Sequence, residues 1–203
     1  MGWTYTHKPK GQSVADFFYQ HGVTRWGPDV PATYKVLDSA LVNLKTWYAA
    51  IERIDKETGE RRVWAAVILV DFVPPKRRES MMGNDFGWKD MDESMGPYQS
   101  DCPERILDLL TETDSEYAKD WRARCRANIA ARKAIPKMTH GVVMKFAEPV
   151  SFGSHGKDDY FKVLRTRGSA IICSAYTLGI TVRLNRNFIK DRAQGCGVTF
   201  GGA

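Results

Sequence analysis

Long apolar, aromatic-rich stretches alternate with short polar breaks along the chain, and the period of the apolar positions sorts them into strands and helices. Trp3–Thr6 is of strand length, and the polar stretch His7–Gln12 follows it. Ser13 is placed as the N-cap of a helix carrying Val14, Phe17 and Phe18, because its hydroxyl can take an orphan backbone N–H; Gly22 would end that helix. Residues 25–33, with Gly27, Pro28 and Pro31, read as a loop. Tyr34–Leu44, Trp47–Ile54 and Arg61–Val73 come next, and Lys56-Glu57-Thr58-Gly59 between the last two is a hairpin signal. Ala49 and Ala50 leave a helical alternative open for the first arm. Val63–Val70 is apolar on both faces, which predicts a central strand, and Pro74-Pro75 stops it.

Residues 76–101 are polar and contain Gly83, Gly87, Gly96 and Pro97, the pattern of a long loop. Cys102-Pro103 opens a short helix running to Leu110. Thr113 and Glu116 form a capping box for a helix over 114–133, in which Tyr117, Ala118, Trp121, Cys125 and Ile129 share one face. Pro136 closes it. From Met138 the period shortens to strands: Val142–Phe146, Tyr160–Leu164, Ala170–Ala175, Ile180–Leu184 and Gly197–Phe200, with one helical turn at Asn187–Lys190. The expected class is α+β: a mixed or antiparallel sheet with helices over residues 1–135, and a small SH3-like β-barrel over 136–203.

Composition narrows the class further. With 203 residues, 43% hydrophobic and 27% charged, the chain has what a folded protein needs and is not globally disordered. No run reaches the roughly 18 apolar residues of a membrane span, and Met1–Thr6 lacks the pattern of an export signal, so a cytoplasmic location without membrane contact is expected. Cys102, Cys125, Cys173 and Cys196 form no CxxC pair, and His7, His21, His140 and His155 stand apart. Buried, reduced thiols follow, with no metal site and no cofactor.

The net charge of +6 is unevenly spread. Residues 1–116 hold 14 Lys/Arg against 19 Asp/Glu, whereas 117–203 hold 16 against 5. The basic half favours an anionic partner. On the helix, Lys119, Arg122, Arg126 and Lys133 recur at spacings that line one solvent face, where they either follow phosphates or merely solvate the helix. In the barrel region Arg165, Arg167, Arg183 and Arg186 accompany Tyr160, Tyr176 and Phe188, a mixture that can hold phosphates and stack bases, and that equally often binds protein or simply packs a domain. A third candidate is acidic. Asp90, Asp92 and Glu93, in the stretch 85–97, are the candidates for a general base or a Mg²⁺-assisted enzyme site, with turn and capping roles as the alternative. The spacing does not fit a calcium-binding EF-hand loop, and the chain has no nucleophile–histidine pairing or phosphate-cradling glycine loop. Enzymatic activity is left open, with the balance against it.

Met1-Gly2-Trp3-Thr4, Phe86–Pro97 and Asp101–Leu107 continuing to Ser115–Arg122 resemble an uncharacterised family associated with bacteriophage and plasmid genomes. The resemblance covers most of residues 1–135 and is weaker over the tail. It carries no catalytic residue. It implies a setting: an accessory protein of a mobile element that acts without catalysis on a host protein or protein–nucleic-acid complex, such as a counter-defence inhibitor. An enzyme with the acidic 85–97 site, and a nucleic-acid-binding or structural phage protein, are the alternatives.

Overall fold

Apolar residues at every second position build two five-stranded antiparallel sheets in this chain. The structure, a computed structural model, describes residues 2–8, 11–19, 32–193 and 197–201. The expected helix end at Gly22, the loop containing Gly27, Pro28 and Pro31, and the residues His21 and Cys196 lie outside the described residues. The chain divides into two compact units, Met1–Cys125 and Arg126–Ala203. The division falls inside a helix, ten residues before the expected boundary between 135 and 136.

The sheet of the first unit has the order β1-β5-β4-β3-β2, from β1 (Thr4–Thr6), β2 (Ala32–Val42), β3 (Thr46–Asp55), β4 (Arg61–Phe72) and β5 (Phe86–Asp92). β4 is central, as its two-sided apolar sequence predicts. The β3–β4 hairpin turns where the Lys-Glu-Thr-Gly signal places it, and Asp55 caps the turn by accepting from the N–H groups of Glu57 and Thr58. The β2–β3 hairpin turns at Asn43 and Leu44, which both take left-handed backbone conformations (φ 52° and 55°). Asparagine suits that region and leucine does not, so no glycine marked this turn in the sequence.

On one face of the sheet, residues 14–19 form a helix, α1, whose Phe17 and Phe18 pack on Trp47, Phe86 and Trp88. Ser13 caps it as expected, its hydroxyl accepting from Asp16 N–H at 3.1 Å. A short α2 (Pro75–Arg78) follows β4. The other face carries Tyr48 and Val67 and is covered by α3 (Glu104–Leu107) and the first half of α4 (Glu116–Lys133), through Ile106, Leu107, Ala118 and Trp121, all buried. Trp121 lies over Tyr48 and donates its indole N–H to the carbonyl of Gln99 at 2.7 Å. The N-cap of α4 is Ser115, whose hydroxyl accepts from Ala118 N–H, and not Thr113. Tyr117, expected on the apolar face, is 71% exposed.

Residues 86–92 are the main correction to the sequence reading. They form β5, paired with β4 on one side and β1 on the other, and not a loop. Gly87, read as a loop marker, is there because the Tyr5 ring lies against its backbone: a Cβ at that position would sit 2.5 Å from the ring.

The second unit has the order β10-β6-β7-β8-β9, from β6 (Val143–Ser151), β7 (Lys157–Arg167), β8 (Ala170–Ala175), β9 (Ile180–Asn185) and β10 (Val198–Gly201). All five strands fall where the short apolar runs predict them. The inward-facing Met144, Phe146, Phe161, Val163, Ile171, Cys173, Val182 and Leu184 form the core. β9 and β10 do not pair among the described residues, so closure of the sheet into the expected barrel is not seen there. The helix α5 (Arg186–Ala193) connects these two edge strands and touches both, with Ile189 buried in the core. Cys102, Cys125 and Cys173 are buried and form no disulfide among the described residues. No helix of the described residues is long and apolar enough to cross a membrane.

Candidate functional site

Strand register decides which of the candidate side chains share a surface. In the second unit Arg165 pairs with Ile172, and Ile172 with Arg183, forming one row across β7, β8 and β9. The next row is Arg167, Ala170 and Asn185. On the other side of Arg165, a bulge between Val163 and Arg165 keeps the basic residues pointing outward, and Lys162 lies opposite Ser174 and Val143. Lys145 lies opposite Tyr160. Alternation therefore puts Lys145, Lys162, Arg165, Arg167 and Arg183 on the outward face, while the chain neighbours of Lys145, Lys162 and Arg183 fill the core.

All five of these cations are exposed. None of their side chains has an ion pair or hydrogen bond to another described residue. Two interstrand steps separate Arg165 from Arg183, roughly 10 Å of backbone, and an open cavity of about 500 Å³ lies between them, with Thr166, Arg167 and Ile172 in its walls. Tyr160 and Tyr176 meet edge to face at 5.4 Å on the same face, and Tyr176 is 77% exposed. Arg186, also exposed, opens α5 and donates its backbone N–H to the carbonyl of Ser169. Acidic groups are absent from the rows just described. Asp158 is buried at the start of β7 and Glu148 pairs with Arg192.

The helical stripe does not survive as a set. Lys119 is exposed and pairs with Glu116 at 2.7 Å, and Arg126 and Lys133 are exposed. Arg122 turns inward. Its guanidinium forms a two-pronged pair with the buried Glu93, both contacts at 2.6 Å, and donates to the carbonyl of Thr111. A helical spacing of three or four residues cannot distinguish an outward arginine from one drawn inward by an acid 29 residues away.

That pairing also removes Glu93 from the acidic candidates. Asp92 caps the turn Glu93–Met95, accepting from the N–H and hydroxyl of Ser94. Asp90 stands in β5 opposite Ile68. The three acids serve separate structural positions. No group of three or more His, Cys, Asp or Glu among the described residues could hold a metal ion.

Two of the described thiols are held protonated. Burial pushes the Cys102 thiol well above its ordinary value and that of Cys173 up to about 12, so neither is a thiolate near neutrality.

Residues 112–187 match a family model described as a domain of unknown function (DUF6927). The matched segment contains α4 and β6 to β9, and with them Arg165, Arg167, Arg183 and Arg186. No curated protein and no solved structure matches the chain.

Proposed function

We propose that this chain is a binding protein that acts without catalysis, and that the outward face of its second sheet docks on single-stranded nucleic acid, free or carried by a protein complex. The observation that supports this reading is the group of five exposed, unpaired cations on β6, β7 and β9, beside an exposed tyrosine pair. Folding gives those charges no partner within the described residues, and their mutual repulsion is unfavourable until an anion arrives. A phosphate backbone supplies the anion, and Tyr176 offers a stacking surface worth about 1–3 kcal/mol per base. The accessory, counter-defence setting implied by the sequence resemblance would make the bound complex one of the host's.

Fluorescence anisotropy with a labelled oligonucleotide tests the proposal. Arg165→Glu/Arg167→Glu/Arg183→Glu is expected to weaken binding at least tenfold. It should also lower the slope of log affinity against log salt by about 2, because three phosphate contacts are lost from a single strand. Unchanged affinity in the triple variant, with circular dichroism showing it folded, would reject the face as the interface.

A further inference from the structure

A second site lies in the first unit, where β3 and β4 bring two arginines together. Arg53 and Arg62 are direct cross-strand partners in the antiparallel pair. Like charges placed this way repel, and strand pairs normally avoid them. Arg53 is partly relieved by Asp55 at 3.2 Å, whereas Arg62 is exposed and has no partner among the described residues. Tyr34, on β2, is the cross-strand partner of Arg53 on its other side. Trp64, two residues along from Arg62, points to the same face and meets Tyr34 edge to face at 6.2 Å.

These four side chains line a cavity of about 460 Å³, which Ser94 and Thr113 border with hydroxyls. That volume is within the range of small-molecule sites, roughly 300–1,000 Å³. Asp92 and Glu93 also reach the cavity wall, but their carboxylates are engaged by Ser94 and by Arg122. Arg122 offsets the charge of Glu93, whereas Asp92, opposite Ala66, keeps its own four residues along β4 from Arg62, so the positive charge that meets a ligand is confined to the Arg53–Arg62 end of the cavity. An anion between Arg53 and Arg62 removes their repulsion, a planar ring packs against Trp64 and Tyr34, and hydroxyl groups between the two meet Ser94 and Thr113.

We infer that this cavity binds a nucleoside monophosphate, with the phosphate on the Arg53–Arg62 pair and the base against Trp64 and Tyr34. The site is independent of the outward face of the second sheet and does not rest on the function proposed for it.

Isothermal titration of the full chain with the four common ribonucleoside monophosphates, adenosine and inorganic phosphate tests the inference. At least one monophosphate is expected to bind saturably, ten times or more tighter than either adenosine or phosphate. Arg62→Ser should weaken that binding at least tenfold while raising the melting temperature of the unliganded protein, because it removes a like-charged pair. Arg165→Glu/Arg167→Glu/Arg183→Glu should leave it unchanged. The inference is overturned by any of three results: no saturable binding by any monophosphate, equal binding of inorganic phosphate, or unchanged affinity in Arg62→Ser. Loss of monophosphate binding in the triple variant overturns it too, since the ligand would then sit on the second sheet.

Discussion

Asp158 shows how much one side chain holds in this fold. Its carboxylate accepts from the N–H of Tyr160 at 3.0 Å and from those of Thr177 and Leu178 at 2.7 and 3.0 Å, and so anchors the turn that follows β8 to the start of β7. Burial by itself would raise the carboxyl, but the three backbone donors outweigh it and hold it below its ordinary value. A carboxyl depressed by folding contributes stability above its unfolded value, near pH 4, and loses that contribution as the pH falls through the folded one. Asp158→Asn should cost about 2 kcal/mol at pH 7, the scale of hydrogen bonds to a charged acceptor, and the difference from the parent should shrink below pH 4. Urea midpoints at pH 7 and pH 3 provide the check. Arg122 is the opposite kind of residue, a cation whose sequence context points outward and whose partner, Glu93, is buried. Nothing local announces such a pair, because its cause is the packing of α4 on the end of β5.

Among the elements, those with short-range causes were legible and those held by distant contacts were not. β6 to β10 follow apolar alternation between polar turns, the β3–β4 hairpin follows its glycine, and α4 follows its apolar face. β5 was hidden because its sequence has a glycine, a lysine and two acids, the composition of a loop. What makes it a strand is the pair of neighbours, β4 and β1, together with Phe86 and Trp88 in the core beneath α1. Gly87 is the hinge of that argument. Gly87→Ala should drive the Tyr5 ring away, break its hydroxyl contact to Asp71 and loosen β1, at about 1–2 kcal/mol. In a Tyr5→Ala background the same change should be neutral or stabilising, since alanine suits a strand better than glycine once the ring is gone. Thermal melts of the two single variants and the double variant measure the coupling.

Across the whole molecule, the basic excess seen in the sequence concentrates in the second unit, where residues 126–203 hold 13 Lys/Arg against 4 Asp/Glu. The sequence located the charge correctly but could not arrange it, because a period-2 strand shows which residues face outward and only register shows which stand side by side. Closure of the expected barrel, not seen among the described residues, was out of reach for a related reason: the number of strands was legible, whereas closure depends on two edges meeting, and α5 connects those edges. Each unit also carries its own interior thiols, Cys102 and Cys125 in the first and Cys173 in the second. They serve as clocks. In a Cys196→Ser background, a maleimide reaches these sulfurs only when their own core opens, so the labelling rate counts opening events separately for each half of the chain. With two separate cores, Cys173 should acquire label with one urea dependence and the Cys102–Cys125 pair with another, resolved by peptide mass. Three coincident curves would instead mean that the chain opens as one body, and that whatever loosens one half on binding is felt by the other.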